Sequence, residues 1–243
     1  MDAHRQQPSF SIVVPVYQEQ ASIQAFLTHL QQIFSRAGHE IIVVDGSPGG
    51  QTVAAVQDPL IKTVGCAPGR SRQMNHGAHV ALGEILLFVH ADTWLPSHAP
   101  ELILQALDDQ QVVGGAFSLS IDSRDPVLRL VAWVANLRSS WTRVPYGDQA
   151  IFMRKAAFLR IGMYPDIPIM EDLELMRRVR KQGWQIRILQ ECVLTSARRW
   201  QQEGKLFCTL RNWFLRVLYH CGVPAKRLAA CYKLGRKSGN CKS

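Results

Sequence analysis

The chain has 243 residues, 47% of them hydrophobic and 19% charged, which excludes a disordered chain and allows one large folded domain. The formal net charge is +9, but residues 198–243 contain 11 Lys and Arg against one acid, which leaves the first 197 residues near neutral. No run of about 18 apolar residues is present, so the sequence predicts no membrane-spanning helix. The start, MDAHRQQPSF, lacks the apolar core of a signal peptide.

The six cysteines form no CxxC pair and have no regular spacing. This pattern does not indicate a zinc site or a disulfide framework, and reduced thiols are the default expectation. We therefore expect a cytoplasmic protein, with the inner face of the membrane as an alternative location.

The first part of the chain alternates between strands and helices. Ser22 can cap the first helix, whose apolar positions follow the helical period. The apolar run ILLFV, which leads into HAD, predicts a central strand buried on both faces. In chain order we predict strand 10–17, helix 23–34, strand 40–45, strand 61–64, helix 70–82 and strand 85–89. This order indicates a doubly wound α/β fold in which Asp45 and Asp92 reach the same edge of the sheet.

The second part predicts more strands and helices, with less regular spacing. The alternation in residues 112–121 is typical of a strand with one face exposed to water. A helix opens near residue 169 and runs to about residue 181, where Gly183 follows. The other predicted elements are helix 100–107, helix 126–141, strand 149–154, and two short strands near 185–189 and 192–195.

The basic tail contains an apolar stripe at the helical period within residues 205–221. Its members are Leu206, Phe207, Leu210, Trp213, Phe214, Val217, Leu218 and Cys221. A basic amphipathic helix of this kind can lie in an anionic membrane interface. The same stripe could instead pack on the body of the protein or on a second subunit.

Five motifs in fixed order resemble those of the family-2 inverting glycosyltransferases with the GT-A fold. They are SIVVPVYQE, VVDGS, GRSRQMNHGA, HAD and the Glu171-Asp172 pair. The segments HADT, YGDQ and SARRW together most resemble those of the radical-SAM/selenodomain-associated transferase 2 subgroup. The resemblance implies a Rossmann-like, mostly parallel mixed sheet flanked by helices. It also implies a GT-A domain at residues 1–200, with a nucleotide half at about 8–96 and an acceptor half at about 97–200, before a basic helical extension at 201–243.

The resemblance implies a nucleotide-sugar donor, with UDP as the expected nucleotide. Asp45 would accept a hydrogen bond from the base or ribose, and Arg70 would lie near the diphosphate. The rest of the predicted donor-binding set is Pro15, Tyr17, Glu19, Asn75, His90, Ala91 and Asp148. The residues alone leave other roles open, because Asp45 can form an Asx turn with Ser47 and Arg70 can be a solvated surface residue.

A diphosphate leaving group needs its developing negative charge neutralised, and a hard divalent cation can do this. The resemblance makes Asp92 the ligand for Mn²⁺ or Mg²⁺, although Asp92 could instead cap the turn before Pro96. His90 stands where the family has its first Asp, and imidazole is less suited to Mg²⁺ than to Mn²⁺.

The resemblance makes Asp172 the base that deprotonates the acceptor hydroxyl, with Glu171 as its neighbour. The residues alone favour a structural role at the start of the helix, because adjacent acids at a helix N-terminus interact favourably with the helix dipole. Processive relatives carry Gln-x-x-Arg-Trp, whereas this chain has Ser196 in place of the Gln, with Arg199 and Trp200 retained. This departure favours a single transfer over polymer synthesis.

Three other functions are alternatives to glycosyl transfer. A sugar nucleotidyltransferase would need a glycine-rich basic loop after the first strand, and YQEQ has neither property. A nucleic-acid-binding protein would need basic or aromatic residues over one face, yet the first 197 residues are near neutral. A pseudo-enzyme that only binds nucleotide sugar stays open. We expect a hydroxyl acceptor and no nucleic acid, and a lipid-like acceptor, a peripheral membrane contact and a homodimer stay open.

Overall fold

The computed structural model describes residues 9–238, with side chains described up to residue 232. The strands are β1 (Phe10–Val16), β2 (His39–Asp45), β3 (Lys62–Gly65), β4 (Ile85–Phe88), β5 (Thr93–Trp94), β6 (Val112–Asp122), β7 (Phe152–Arg154) and β8 (Gln185–Ser196). The helices are α1 (Ile23–Phe34), α2 (Gln51–Ala54), α3 (Arg70–Val80), α4 (Ala99–Leu107), α5 (Pro126–Thr142), α6 (Lys155–Arg160), α7 (Glu171–Lys181), α8 (Arg198–Glu203), α9 (Lys205–His220) and α10 (Ala225–Ser238), and a 3-10 turn covers Gly147–Gln149.

The strands form one mixed sheet in the order β3-β2-β1-β4-β7-β6-β8-β5. The first four strands of this order are parallel, β7 is antiparallel to both of its neighbours, and β6 and β8 are parallel. Asp45 pairs with Val16, so the carboxyl ends of β1 and β2 lie level at one edge. The predicted α/β fold with a mostly parallel sheet flanked by helices is confirmed.

Each face of the sheet has its own core, because successive β1 side chains point to opposite sides. Ile12 and Val14 pack with α1 and α4, whereas Val13 packs with α3. Helix α3 approaches closely because Gly77 has no side chain. A Cβ at Gly77 would lie 2.4 Å from a Val13 methyl carbon. This close packing fixes the start of α3 beside the carboxyl edge of the sheet.

The second part of the sheet differs from the sequence prediction. The predicted wet face of β6 is wrong, because both faces of the strand are buried as far as Leu119. Phe117 and Leu119 lie in the core that includes α4 and α5, whereas Ala116 lies in the core on the other face. The two predicted strands at 185–189 and 192–195 are one strand, β8. An irregularity in register lets β8 pair with β6 on both sides of Phe117, where Ala116 faces Ile188 and Ser118 faces Cys192.

Local geometry explains two smaller differences. The strand predicted at 149–154 begins only at Phe152, because Gly147–Gln149 form the 3-10 turn and Ala150 has φ +48°. Ser22 holds the predicted position before α1, but its hydroxyl donates to Glu19 and does not cap the helix.

Helix α9 packs on the body with the face opposite to the predicted apolar stripe. Its buried residues are Cys208 and Leu215, whereas Leu210 is 66% exposed and most of the stripe lies outward with it. The alternative in which the stripe packs on the body is therefore wrong. Within residues 9–238, no helix has the length and apolar character needed to cross a bilayer.

Candidate functional site

Asp45 ends β2 and is buried at the carboxyl edge of the sheet. Its Oδ1 accepts hydrogen bonds from the backbone N–H of Ser47, at 2.8 Å, and from the Ser47 hydroxyl. The Asx turn considered as an alternative therefore exists. Oδ2 is buried without a partner in the described structure, so the turn leaves one carboxylate oxygen available for a ligand.

The predicted nucleotide edge is built from the residues that follow β1. Pro15 is buried within the strand, whereas Tyr17 is about half exposed and can present its ring to a ligand. The carboxylate of Glu19 accepts from Arg198 at 3.3 Å and from Ser22 at 3.2 Å. Glu19 thus connects this edge to the start of α8.

Arg70 is the first residue of α3 and faces two acids from the start of α7. Its Nη1 lies 3.3 Å from Oε1 of Glu171, whose side chain is almost fully buried. Burial lowers the pKa of Arg70, but the charges of Glu171 and Asp172 outweigh it and raise the pKa. Arg70 is 45% exposed and stays charged, so it can pair with an anion in addition to Glu171.

Asp172 lies at the point where α7, the 3-10 turn and the end of β4 meet. The backbone N–H of Gly147 donates to its carboxylate, while Oδ1 is buried without a partner in the described structure. A Cβ on Gly147 would lie 2.7 Å from Oδ2 of Asp172 and 3.2 Å from Nε2 of His90. Gly147 therefore allows these two side chains to approach the same backbone segment.

Burial and the neighbouring Glu171 raise the pKa of Asp172 to about 8, although Arg70 opposes this rise. Burial also raises the pKa of Asp148 despite the opposing charges of Arg199 and Arg70, and Asp92 adds to the rise. Burial, assisted by Arg70 and Arg199, lowers the pKa of His90 well below its usual range. The site thus combines carboxyl groups that ionise late with a neutral imidazole.

Asn75, from the predicted donor-binding set, uses its side-chain amide on the backbone of another segment. Its Nδ2 donates to the carbonyl of Tyr164 at 2.8 Å, and its Oδ1 accepts from the N–H of Tyr164 at 3.0 Å. The amide is thus occupied by backbone, and we assign Asn75 to the scaffold that joins α3 to the segment before α7. Arg72 likewise pairs with the exposed Asp166 at 2.8 Å.

The metal prediction can be tested against the chemistry of the donor set. Asp92 and Ala91 follow β4, and the carbonyl of Asp92 accepts from the N–H of Ser196 at 3.1 Å. In the described part of the chain, no three His, Cys, Asp or Glu side chains are grouped to hold a metal. A cation held at Asp92 would therefore take most of its ligands from phosphate oxygens and water.

Three residues near the site were not predicted to belong to it. Arg199 influences the pKa of both His90 and Asp148, and its place in SARRW was a usable signal. Tyr164 is buried, and burial together with Asp172 raises the pKa of its hydroxyl well above the usual range. Gly147 lies between two motif residues, but no sequence pattern indicated its contact with Asp172.

Comparisons with known proteins agree with this architecture. Residues 11–161 match the family model described as Glycosyl transferase family 2. The chain is 25% identical over 256 residues to YdaM of Bacillus subtilis (strain 168), described as a probable glycosyltransferase. This match covers 95% of the chain but only 59% of the relative, so the chain spans less than two thirds of that protein's length.

Solved structures show the same fold at low sequence identity. The mannosyltransferase PcManGT from Pyrobaculum calidifontis, in complex with GDP-Man and Mn²⁺, has a TM-score of 0.59 and 22% identity, covering 78% of this chain and 57% of that one. TarS 1–349 from S. aureus, in complex with UDP, has a TM-score of 0.58 and 18% identity, covering 77% and 60%.

Proposed function

Because the chain belongs to glycosyl transferase family 2, we propose that it moves a sugar from a nucleotide-diphospho-sugar to a hydroxyl group of an acceptor. UDP is the expected nucleotide, and the transfer is expected to invert the anomeric centre. The motifs HADT, YGDQ and SARRW remain the basis for the radical-SAM/selenodomain-associated subgroup as a prediction. The donor is assigned to residues 8–96 and the acceptor to residues 97–200.

The observation that carries the proposal is a set of three acids with unsatisfied oxygens near one edge of the sheet. Asp45 Oδ2, Asp148 Oδ1 and Asp172 Oδ1 are each buried without a hydrogen-bond partner in the described structure. Burying a carboxylate oxygen without a partner opposes folding, so such groups mark a place where a ligand completes the interactions. A nucleotide sugar and a hydroxyl acceptor offer the donors that these oxygens lack.

Asp172 is suited to receive the proton of the acceptor hydroxyl. Its pKa of about 8 keeps proton affinity high near neutral pH, and the Gly147 N–H orients its carboxylate. Glu171 is held by Arg70 and contributes negative charge that strengthens Asp172 as a base. Deprotonation of the hydroxyl as it attacks the anomeric carbon, with departure of the nucleoside diphosphate, gives inversion.

Asp92 would hold the cation, Mn²⁺ or Mg²⁺, together with the donor diphosphate. The neutral His90, two residues earlier in the chain, can act as a nitrogen ligand, which suits Mn²⁺ better than Mg²⁺. When bound, the cation supplies charge neutralisation for the leaving diphosphate. Arg70 and Arg199 add fixed positive charge at the same place, since both influence Asp148 and His90.

Calorimetric titration with UDP and GDP, with and without Mn²⁺, tests the donor site. We expect UDP binding that requires Mn²⁺ and is lost in Asp92→Ala. Asp166→Ala is the matched control, because Asp166 is an exposed acid that pairs with the exposed Arg72 and should not affect binding. Absence of nucleotide binding under every metal condition would overturn the proposal.

A further inference from the structure

Helices α5 and α9 expose apolar side chains that are not used in the core. Twelve of the nineteen exposed large hydrophobic residues in the described chain lie on these two helices. We call them the α5–α9 surface: Val127, Leu130, Trp133, Val134, Leu137, Trp141, Leu206, Phe207, Leu210, Trp213, Phe214 and Val217. Their exposed fractions range from 37% to 88%.

Both helices are apolar on two faces, and only one face of each packs on the body. Helix α5 buries Leu128, Ala132 and Ala135. Helix α9 buries Cys208 and Leu215. A surface helix that only covers a core needs one apolar face, so the second face on each helix requires a separate explanation.

The two helices are fixed side by side at both ends. Near their N-termini, Lys205 of α9 forms an ion pair with Asp125, which caps α5. Toward their C-termini, the guanidinium carbons of Arg138 (α5) and Arg216 (α9) lie 3.9 Å and 4.1 Å from the centre of the Tyr146 ring. The outward faces of α5 and α9 therefore form one continuous surface.

The size of this surface is unusual for an isolated soluble domain. Twelve side chains that are on average about half exposed, three of them Trp, present on the order of 1,000 Å² of apolar area. The largest apolar patch on a typical monomer is about 300–600 Å² and is often a binding site. Single exposed apolar residues would need no explanation, but a continuous set on paired helices does.

The charge on these helices identifies the partner. Neither α5 nor α9 contains an Asp or Glu, whereas Arg129 of α5 and Lys205 of α9 are exposed basic residues. Residues 198–243 carry a net charge of +10. Trp side chains with Lys and Arg along an apolar face are typical of helices that lie in the interface of an anionic bilayer.

We propose that the α5–α9 surface docks on an anionic phospholipid bilayer, with both helices lying in the plane of the interface. A second copy of the chain is a poorer partner, because a two-fold contact would bring two basic surfaces together. The proposal is independent of the transferase activity. It extends the membrane contact predicted for residues 205–221 to α5, which supplies half of the apolar residues.

Flotation of the protein with lipid vesicles tests this proposal without donor or acceptor. The vesicles are pure phosphatidylcholine or an equimolar mixture of phosphatidylcholine and phosphatidylglycerol. We expect binding to the mixed vesicles, weakened by high salt, and a blue shift of the Trp emission from Trp133, Trp141 and Trp213. Leu210→Glu and Trp133→Glu should each reduce vesicle partitioning by about tenfold or more.

Leu60→Glu is the matched control, since Leu60 is 84% exposed outside the α5–α9 surface and the charge change is the same. It should bind vesicles as the unaltered protein does. The proposal is overturned by absence of vesicle binding, by equal binding to pure phosphatidylcholine, or by full binding of both surface variants. Self-association that is lost in Leu210→Glu, without vesicle binding, would assign the surface to a second copy.

Discussion

Replacing Asp172 by Asn should stabilise the protein at alkaline pH while abolishing transfer. Asp172 has a pKa raised from 3.8 to about 8 by burial and by Glu171. In the unfolded chain this carboxyl loses its proton near pH 4, whereas the folded protein retains it to about pH 8. The unaltered protein therefore loses stability as pH rises through this window, and Asn, which does not ionise, removes that loss.

The magnitude follows from the size of the pKa shift. A shift of about four units corresponds to at most about 5 kcal/mol, at 1.36 kcal/mol per unit. The side chain is only partly buried although its Oδ1 is inaccessible, and it shares its charge interactions with Glu171 and Asp148. We therefore expect a net gain of about 2 kcal/mol for Asp172→Asn above pH 8.

Urea unfolding at about pH 5 and about pH 8.5 measures this difference. The free energy of unfolding of the unaltered protein should fall relative to that of Asp172→Asn between these values. Asp166→Asn serves as control, because Asp166 is exposed and should not give the same pattern. Equal pH dependence in the unaltered protein and Asp172→Asn would refute the assigned environment of the carboxyl group.

Three further predictions concern activity and binding. The rate of transfer should increase with pH toward about pH 8 as Asp172 loses its proton. Arg70→Met should move this rise to higher pH, because it removes the positive charge that lowers the pKa of Asp172. A pH–rate profile of Arg70→Met with an unchanged midpoint would contradict this expectation. Gly147→Ala should reduce kcat by about tenfold or more with little change in nucleotide affinity, because the new Cβ would lie 2.7 Å from Oδ2 of Asp172. Single-turnover rates measure this effect, and an unchanged kcat would count against the contact between Gly147 and Asp172. Asp45→Asn should weaken UDP binding about tenfold in calorimetry while leaving the thermal midpoint within a few degrees, and equal affinity would remove Asp45 from the nucleotide site.

The sequence predicted the parallel part of the fold well because its signals are local. Apolar runs that end in an acid placed β2 and β4, and both acids lie near the carboxyl edge of the sheet. The form of β8 could not be predicted, because its continuity depends on the register with β6 around Phe117. That register is set by tertiary pairing between strands about 70 residues apart.

In the candidate site, too, the sequence predicts what depends on local motifs and does not predict what depends on tertiary contacts. Motif order predicts Asp45, Asp92 and Asp172 as site residues, and it also includes Asn75, whose amide is used by the backbone of Tyr164. Hydrogen-bond partners across the fold are not encoded in a local pattern, so a polar residue in a motif can belong to the scaffold. The outward direction of the tail stripe was equally unpredictable, since α9 has apolar residues on two faces.

The pairing of β5 has a consequence for the order in which the chain can fold during synthesis. β5 follows Asp92 directly, and its only strand partner in the described chain is β8, through Thr93 with Thr195 and Trp94 with Leu194. The Asp92 carbonyl is also bound only when the N–H of Ser196 is present. A ribosome must therefore add about 100 more residues before the segment after β4 reaches its final position. During that interval the emerging protein can assemble the β1–β2–β4 edge but lacks the β8 contacts that fix Asp92, so the cation site proposed at Asp92 would be completed only after β8 has been made.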